Sequence, residues 1–502
     1  MQFNSLEFFV FLVVVLVLIN SLRKARYQQA VLLAGSYLFY YATSGPFVLL
    51  LLFITLVAFG AGDALARVAD PRRRKAVLAL TLAALLLPLA FYKYYNFGVE
   101  ILGQLPLPLA YYLNLPALEL LLPVGISFFT FSAISYVVDV YRGTLAPERG
   151  LSRFALFISY FPHLLAGPIV RGGQFLPQLR DRVSLDGPAL RAGATLMLWG
   201  FLKKFVIADN CAPFVDAIFA DPVGLSSPYI VAGALLFGVQ IYCDFSGYVD
   251  IALGTAALVG LHLPENFRRP YLARSPGDFW RRWNITLSSF IRDYIYIPLG
   301  GNRRGEGRTY LNLMAAMLVS GLWHGAAWNF VVWGGYHGLL QAVQRFGRTR
   351  LGIAGPSREH GSLRILVQIL VTQYFIFLGW IMFRVGDLSE MLYCVRKYVL
   401  FDFDFATPSP THIRGVSTAI EAIGGTDPVV LVLGLVAAVA ALVLLARYRR
   451  AAETVTGILT TDWPGRVASL RPRYWNLYVA CAVFTLLTLP PSASPVFIYY
   501  QF

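Results

Sequence analysis

Long uncharged stretches alternate along the chain with short clusters of basic residues. Residues 28–62 carry no charged side chain, and this stretch is too long for one membrane-spanning helix of roughly 20 residues. Gly45 and Pro46 interrupt it, so the pattern predicts two helices joined by a tight turn. Further uncharged stretches are 76–92, 120–138, 154–170, 222–243, 309–344, 365–383, 429–446 and 474–502. The pattern is typical of an all-α, polytopic membrane protein.

The distribution of basic residues predicts how the first helices are oriented. Residues 8–19 lack a basic segment before them and a small-residue cleavage site after them, so we expect a retained first span rather than a signal peptide. The basic residues Arg23, Lys24 and Arg26 follow this span, which places them in the cytoplasm and the N-terminus outside. We expect about ten to twelve spans plus re-entrant helices, in a single integral membrane domain over residues 1–502.

The middle of the chain is less regular. Residues 279–291 place four apolar side chains on one helical stripe, and three arginines point elsewhere. The pattern therefore predicts an amphipathic helix that lies at the membrane interface or re-enters the membrane inside the protein. The apolar residues are Trp280, Trp283, Leu287 and Ile291, and the basic ones are Arg281, Arg282 and Arg292.

Composition excludes several classes of protein. Of the 502 residues, 57% are hydrophobic and only 14% are charged, too few to cover a water-soluble globule of this size. An aromatic content of 15% argues against disorder. The formal net charge of +15 lies in short clusters between apolar stretches, and no nucleic-acid-binding motif accompanies it. We therefore expect a lipid bilayer, and no nucleic acid, as a partner.

Three of the six histidines lie in apolar stretches, where burial of a titratable imidazole costs free energy. His324 and His337 fall in the uncharged stretch 309–344, and His163 lies between two prolines that break any continuous helix. An imidazole can remove a proton from a hydroxyl, as acyl transfer requires, whereas the alternative for each ring is a packing role with a structural hydrogen bond. The spacing of His324 and His337 does not match a metal pair, and the four cysteines are scattered, so no metal is expected.

Two other polar features have both a structural and a functional interpretation. Asp244 lies between apolar stretches, where it either pairs with an arginine or borders a polar path. The turn at 299–308 is glycine-rich and contains Arg303, Arg304 and Arg308. It either holds phosphate groups or is a cytoplasmic loop that sets topology.

Several blocks of sequence follow one another in order over about residues 120–340. They are PVGISFFTF (123–131) with VDVYRG (138–143), YFPHLLAGPI (160–169), QIYCDFSGY (240–248), LPENFRRPYL (263–272), DFWRRW (278–283), RDYIYIPLGGNR (292–303) and GLWHGAAW (321–328). These blocks resemble the membrane-bound O-acyltransferase (MBOAT) superfamily, in particular its bacterial alginate and polysaccharide O-acetyltransferase (AlgI-type) branch. The resemblance implies that residues 120–340 are the core, with 1–119 and 341–502 as flanking helices.

The resemblance implies a site and a fold. The family's near-invariant histidine falls on His324, which would act as the base, and the second polar position of the family falls on Asn284. Bacterial relatives commonly carry histidine at that second position, so this chain departs from them there. The family fold is a ring of tilted helices around a central tunnel. Candidate substrate-binding residues are His163, Trp283, Trp323, Arg303 and Arg304.

The resemblance also implies the substrates and partners. We expect acetyl-CoA as the donor substrate, no permanently bound cofactor, and transfer of acetyl across the bacterial inner membrane to an exported polysaccharide such as alginate. A periplasmic partner of the SGNH-hydrolase type and the exopolysaccharide machinery are expected to assist. No SGNH-like segment is recognisable in the sequence, so a separate partner is expected. The alternatives are a D-alanyl or other acyl transferase of envelope polymers and, in another class, a transporter of an acyl carrier or sugar.

Overall fold

The computed structural model describes residues 1, 3, 5–104, 115–183, 187–353, 355, 362–402, 463–488, 497 and 498. Within these residues all regular secondary structure is helical, which confirms the all-α prediction. The predicted span at 429–446 lies outside the described residues.

The chain divides into two compact units. Unit 1 comprises Met1–Met197 and Tyr248–Glu265, and unit 2 comprises Leu198–Gly247 and Asn266–Phe502. The expectation of a single domain with its core at 120–340 stays a prediction.

Unit 1 consists of the N-terminal helices. A 3-10 turn at Gly45–Phe47 separates two of them, which confirms the predicted break at Gly45 and Pro46. The uncharged stretch 154–170 is also broken as predicted, because one helix ends at Ser159 and the next begins at Phe161. The helices are α1 (Leu6–Ser21), α2 (Ala25–Ser44), α3 (Val48–Arg67), α4 (Pro71–Leu89), α5 (Tyr95–Gln104), α6 (Ile126–Arg142), α7 (Leu151–Ser159), α8 (Phe161–Leu164), α9 (Gly172–Phe175) and α10 (Gly187–Phe201), which continues into unit 2.

Unit 2 contains the helices that carry most of the candidate site. They are α11 (Asp209–Phe219), α12 (Ser227–Val259), which continues into unit 1, α13 (Pro276–Trp280), α14 (Ile285–Ile291), α15 (Glu306–His324), α16 (Trp328–Arg350), α17 (Ser362–Arg384), α18 (Leu388–Leu400), α19 (Trp463–Ala468) and α20 (Pro472–Thr488). Short π-helical segments occur at Leu202–Ala208 and Arg292–Tyr296.

Four helical segments of the described chain are long and apolar enough to cross a membrane. They are Ala25–Arg67, Pro71–Gln104, Ser227–Val259 and Leu363–Arg384. The apolar helix α1 is shorter, with 16 residues. The protein is therefore a multi-pass membrane protein, whereas the expected count of ten to twelve spans stays a prediction.

The prediction of one continuous amphipathic helix over residues 279–291 is wrong. Helix α13 ends at Trp280 and α14 begins at Ile285, because Asn284 between them adopts a left-handed conformation with φ of 41°. Asparagine tolerates this conformation better than most residues. The predicted sidedness nevertheless holds, since the apolar stripe is buried and Arg281 and Arg292 are exposed.

Asp244 pairs with a lysine rather than with the expected arginine. The Lys204 ammonium lies 2.7 Å from a carboxylate oxygen of Asp244 and 2.7 Å from one of Asp209. The second oxygen of Asp244 accepts a hydrogen bond of 2.9 Å from the backbone N–H of Ile498. All three charged side chains are buried, so the ion pairs offset the cost of placing charge in an apolar interior.

Helices α15 and α16 form a tightly packed hairpin. A Cβ atom at Gly334 would lie 2.5 Å from the carbonyl oxygen of Met317, and one at Gly321 would clash with the carbonyl oxygen of Phe330. The two backbones are therefore in direct contact, which only glycine at these positions permits. The contact therefore fixes the position of each helix along the axis of its neighbour.

This contact predicts that Gly334→Ala destabilises the hairpin. The added methyl group forces the helices apart, and we expect the free energy of unfolding to fall by about 2 kcal/mol. Gly335→Ala is the matched control, because a Cβ there meets only a Leu318 side-chain atom at 3.8 Å. Thermal unfolding in detergent compares the two, and equal stabilities would contradict the close contact.

Candidate active site

His324 is the last residue of α15 and lies in a cage of aromatic rings. Its imidazole is 3% exposed, and three rings contact it nearly edge to face. The ring centroids lie at 4.7 Å for Trp323, 4.9 Å for Trp333 and 5.1 Å for Phe383. These residues come from α15, α16 and α17, so three helices fix the position of the imidazole.

The second histidine of the uncharged stretch, His337, contacts the same tryptophan. The Trp333 ring contacts His337 at 4.7 Å between centroids and His324 at 4.9 Å. His337 is fully buried and also contacts Trp280 at 5.2 Å. The two histidines predicted from the uncharged stretch 309–344 therefore belong to one cluster, in which each contacts Trp333.

A cavity of about 540 Å³ opens in unit 2 beside this cluster. Its wall includes four residues of α15 that recur every three or four positions, as residues on one helical face do. His324 continues this face one turn beyond Ser320, and His337 lies one turn from Gln341 on α16, which also lines the cavity. Neither histidine lines the cavity, and each lies one helical turn along its helix from a residue that does. The four residues of α15 are Leu313, Ala316, Met317 and Ser320.

The lining of this cavity is rich in arginine. Asp278 pairs with two of the four arginines, at 3.3 Å to Arg281 and 3.1 Å to Arg282. Arg292 pairs with its neighbour Asp293 at 2.6 Å. The arginines outnumber these carboxylates, so the cavity attracts anions. The four are Arg268, Arg281, Arg282 and Arg292.

The predicted basic residues of the glycine-rich turn lie next to this cavity. Arg303 and Arg304 are exposed and line a second cavity of about 350 Å³. Tyr296 lines both cavities, so the turn and the larger cavity are neighbours within unit 2. The sequence identified Arg303 and Arg304 as candidate binding residues, but it did not predict that Arg268, Arg281, Arg282 and Arg292 line one cavity.

Asn284 is held in a reversal of the chain between α13 and α14. The side-chain oxygen of Asn266 accepts hydrogen bonds from the Thr286 backbone at 3.0 Å and from the Thr286 hydroxyl at 2.8 Å. The carbonyl oxygen of Asn266 accepts a third, of 2.9 Å, from the backbone of Ile285. The Asn284 side chain is 1% exposed, and its Nδ2 has no hydrogen-bond partner among the residues that the structure describes.

Aromatic packing connects the Asn284 segment to the histidine cluster. The Trp283 ring lies 4.8 Å from Trp380, which lies 6.5 Å from Trp333. Trp283 and Trp323, two of the predicted substrate-binding residues, are both buried in unit 2, and Trp323 contacts His324 directly. Their role in binding substrate stays a prediction.

His163 belongs to unit 1. It lies in the short helix α8, it is 2% exposed, and its ring contacts Tyr160 and Phe175 at 5.8 Å and 5.9 Å. The break in the backbone that the two prolines predicted is present. A part for His163 in the substrate path stays a prediction.

The site residues suit proton transfer better than metal binding. Among the described residues, no group of three histidine, cysteine or acidic side chains is placed to hold a metal ion. The cluster instead combines a buried imidazole, a buried amide and a basic cavity that ends one helical turn away. Such a set can bind an anionic substrate at the mouth and act on its far end at the imidazole.

Comparisons with known proteins place the chain in a family of membrane enzymes. A model of the membrane-bound O-acyltransferase family matches residues 148–383, which include Asn284, His324 and the larger cavity. The chain is 40% identical over 396 residues to a probable alginate O-acetylase AlgI of Azotobacter vinelandii, covering 78% of this chain and 76% of that protein. It is 38% identical to the probable alginate O-acetylase AlgI of Pseudomonas aeruginosa, covering 78% and 73%. It is 36% identical to a peptidoglycan O-acetyltransferase of Helicobacter pylori, covering 64% of each.

Two substitutions at Asn284 distinguish the contribution of its left-handed backbone conformation from that of its side-chain amide. Alanine is strained in this conformation and glycine is not, so we expect Asn284→Ala to lower the free energy of unfolding by about 1 kcal/mol more than Asn284→Gly. Thermal unfolding of the two variants in detergent measures the difference. If Asn284→Ala were as stable as Asn284→Gly, the reversal of the chain would not depend on the asparagine.

Proposed function

Because the chain belongs to the membrane-bound O-acyltransferase family, and is thus an O-acyltransferase, we propose that it takes acetyl from cytoplasmic acetyl-CoA for O-acetylation of an exported, alginate-like polysaccharide. The observation that carries the proposal is the basic cavity lined by one face of α15, since His324 lies on that face one helical turn beyond Ser320. The names of the relatives, alginate O-acetylase and peptidoglycan O-acetyltransferase, support acetyl transfer to a cell-envelope polymer.

The chemistry of coenzyme A fits the two ends of the cavity. Its phosphates are strong hydrogen-bond acceptors, and arginines at the mouth bind phosphate in a bidentate manner. We place the phosphates near Arg281 and Arg292, with Arg303 and Arg304 around the entrance. The apolar lining of Ile285, Met317 and Trp280 suits the narrow pantetheine arm, which carries the acetyl thioester toward His324.

His324 is the general base in the proposed reaction. It takes the proton from the acceptor hydroxyl as the hydroxyl oxygen attacks the thioester carbonyl carbon. The carbon–sulfur bond then breaks, and the imidazolium returns the proton to the leaving thiolate, so that free CoA and an acetyl ester result. The Asn284 amide donates a hydrogen bond to the carbonyl oxygen or orients the donor. The aromatic cage keeps the imidazole dry, which strengthens these interactions.

The topology and partners belong to the same proposal. We place the protein in the bacterial inner membrane with its N-terminus in the periplasm, because Arg23, Lys24 and Arg26 follow the first helix. A periplasmic protein of the SGNH-hydrolase type would receive the acetyl group and modify the polysaccharide. This placement gives the donor access from the cytoplasm and the acceptor access from the opposite side.

Loss of the base tests the proposal. We expect His324→Ala to lower kcat for acetyl transfer from acetyl-CoA by about 1000-fold, because no other group replaces the proton transfer. His262→Ala is the control, since its side chain is exposed in unit 1 and outside the site. Acetyl transfer is measured in membrane vesicles with labelled acetyl-CoA, after equal expression is verified. Substantial transfer by His324→Ala would exclude His324 as the base.

The amide of Asn284 is tested in the same assay. Asn284→Gly keeps the backbone conformation and removes only the amide, and we expect a smaller loss, of about 100-fold. A loss equal to that of His324→Ala, with unchanged donor binding, would assign Asn284 a direct chemical role. Transfer of D-alanine in place of acetyl, or transport that survives His324→Ala, would favour the alternative functions.

The arginines of the glycine-rich turn are tested by the affinity for the donor. We expect Arg303→Gln with Arg304→Gln to raise KM for acetyl-CoA about tenfold and to leave kcat unchanged, since hydrogen bonds to charged groups are lost only at the entrance. Arg471→Gln with Arg473→Gln removes the same charge from residues that line neither cavity. An unchanged KM in the first double variant would show that Arg303 and Arg304 do not bind the donor, which leaves only a role in setting the membrane topology.

A further inference from the structure

The N-terminus of α14 is capped by a residue from outside the helix. Asn284 occupies the N-cap position, because its carbonyl oxygen accepts a hydrogen bond of 2.9 Å from the backbone N–H of Ser288. The side-chain oxygen of an N-cap asparagine usually accepts a hydrogen bond from an N–H group of the first turn. The Asn284 side chain makes no such bond, and its backbone is left-handed, with φ of 41° and ψ of 57°, rather than extended. The first N–H groups of α14 therefore need acceptors elsewhere.

Asn266 provides these acceptors. Its backbone carbonyl oxygen accepts a hydrogen bond of 2.9 Å from the N–H of Ile285, the first residue of α14. Its side-chain oxygen accepts one of 3.0 Å from the N–H of Thr286 and one of 2.8 Å from the Thr286 hydroxyl. Asn266 is 1% exposed, so loss of its side-chain oxygen would leave a buried N–H group without this acceptor, which costs free energy.

The neighbouring helix α13 shows the usual arrangement. The hydroxyl of its N-cap residue, Ser275, accepts a hydrogen bond of 3.2 Å from the N–H of Asp278 in the first turn of the same helix. The two helices therefore differ in the residue that caps them, since α13 is capped by its own N-cap side chain and α14 by Asn266. The long-range contact with Asn266 thus spares the Asn284 side chain from capping.

The spared amide belongs to a segment that lines the basic cavity. Arg282 and Ile285, which lie on either side of Asn284 in the sequence, both line this cavity, whereas Asn266 does not. The Asn284 side chain is 1% exposed, and its Nδ2 has no hydrogen-bond partner among the described residues. Buried polar groups are rarely left without partners, and such a group at a candidate site indicates a functional role.

We propose that Asn266 is a positioning residue of the active site, which caps α14 in place of Asn284 and so keeps the Asn284 amide available to the acyl donor. This inference rests on the proposed function, in which that amide donates a hydrogen bond to the thioester carbonyl or orients the donor. When the Asn266 side-chain oxygen is removed, the buried N–H of Thr286 requires another acceptor, and the side chain at the N-cap position ordinarily supplies it. The Asn284 side chain then caps α14, and its amide is withdrawn from the donor.

A double-mutant cycle tests the proposal, with labelled acetyl-CoA in membrane vesicles. Asn266→Ala is measured in the unmodified protein and in the Asn284→Gly variant, which has no amide to position. We expect Asn266→Ala to lower kcat about tenfold in the unmodified protein, because a displaced group contributes less to the transition state. In Asn284→Gly we expect a further loss of less than about twofold, because both substitutions remove the same contribution.

Asn210→Ala is the matched control for the loss of an asparagine. The Asn210 amide donates two hydrogen bonds, of 3.1 Å each, to backbone carbonyl oxygens in unit 2, and the residue lines neither cavity. We expect this change to leave kcat unaltered in both backgrounds. Equal losses from Asn266→Ala in both backgrounds would assign Asn266 a purely structural role and overturn the proposal, as would an unaltered kcat in the unmodified protein.

Thermal unfolding in detergent first verifies the fold of each variant. If Asn266→Ala does not fold, Thr286→Val takes its place, since it replaces the hydroxyl that donates to Asn266 by a methyl group. We expect Thr286→Val to lower kcat about threefold in the unmodified protein but not in Asn284→Gly, and Thr286→Ser, which keeps the hydroxyl, to restore it. Equal losses from Thr286→Val in both backgrounds, or no loss in the unmodified protein, would again overturn the proposal.

Failure of the proposed function gives different results. Absence of acetyl transfer from acetyl-CoA by the unmodified protein would overturn that function as a whole. Full kcat in Asn284→Gly would overturn the part that it assigns to the Asn284 amide, and the inference about Asn266 with it.

Discussion

The direct backbone contact between α15 and α16 is the constraint on which the site depends. Gly321 and Gly334 allow the two helices to approach until a side chain on either would meet a carbonyl oxygen of the other. This contact determines where His324, at the end of α15, lies along the axis of α16 relative to Trp333 and His337. Since the aromatic cage closes around an imidazole whose position is already fixed, the proposed base requires no large rearrangement before it acts.

The protein has few charged residues, and its buried polar groups differ in what they contact. Lys204 pairs with both Asp209 and Asp244, so the contribution of these three residues is to the fold of unit 2. The imidazole of His324 lies among aromatic rings, whereas four arginines line the neighbouring cavity, where water screens their charges less than in bulk solvent.

The sequence predicts the features that depend on local chemistry. A Gly-Pro pair such as Gly45 and Pro46 indicates a turn between two helices. His324 stands out because a titratable side chain in a long uncharged stretch costs free energy to bury in an apolar interior. Long-range contacts decide the rest. The reversal at Asn284 depends on Asn266, 18 residues earlier, which a helical stripe cannot reveal. Arg281, Arg282 and Arg292 were recognised only as residues that face away from the apolar stripe, and Arg268 was not singled out, because the residues that line the cavity come from separate segments of the chain.

The central claim is that the basic cavity holds the donor with its acetyl end toward His324. Photocrosslinking tests it most directly, with a non-hydrolysable acetyl-CoA analogue that carries a photoreactive group in place of the acetyl methyl. Peptide mapping is predicted to find label on α15 and α16 within one turn of His324, and excess acetyl-CoA should abolish the labelling. Label confined to peptides that contain neither the cavity lining nor the aromatic cage, with the same competition, would contradict the account.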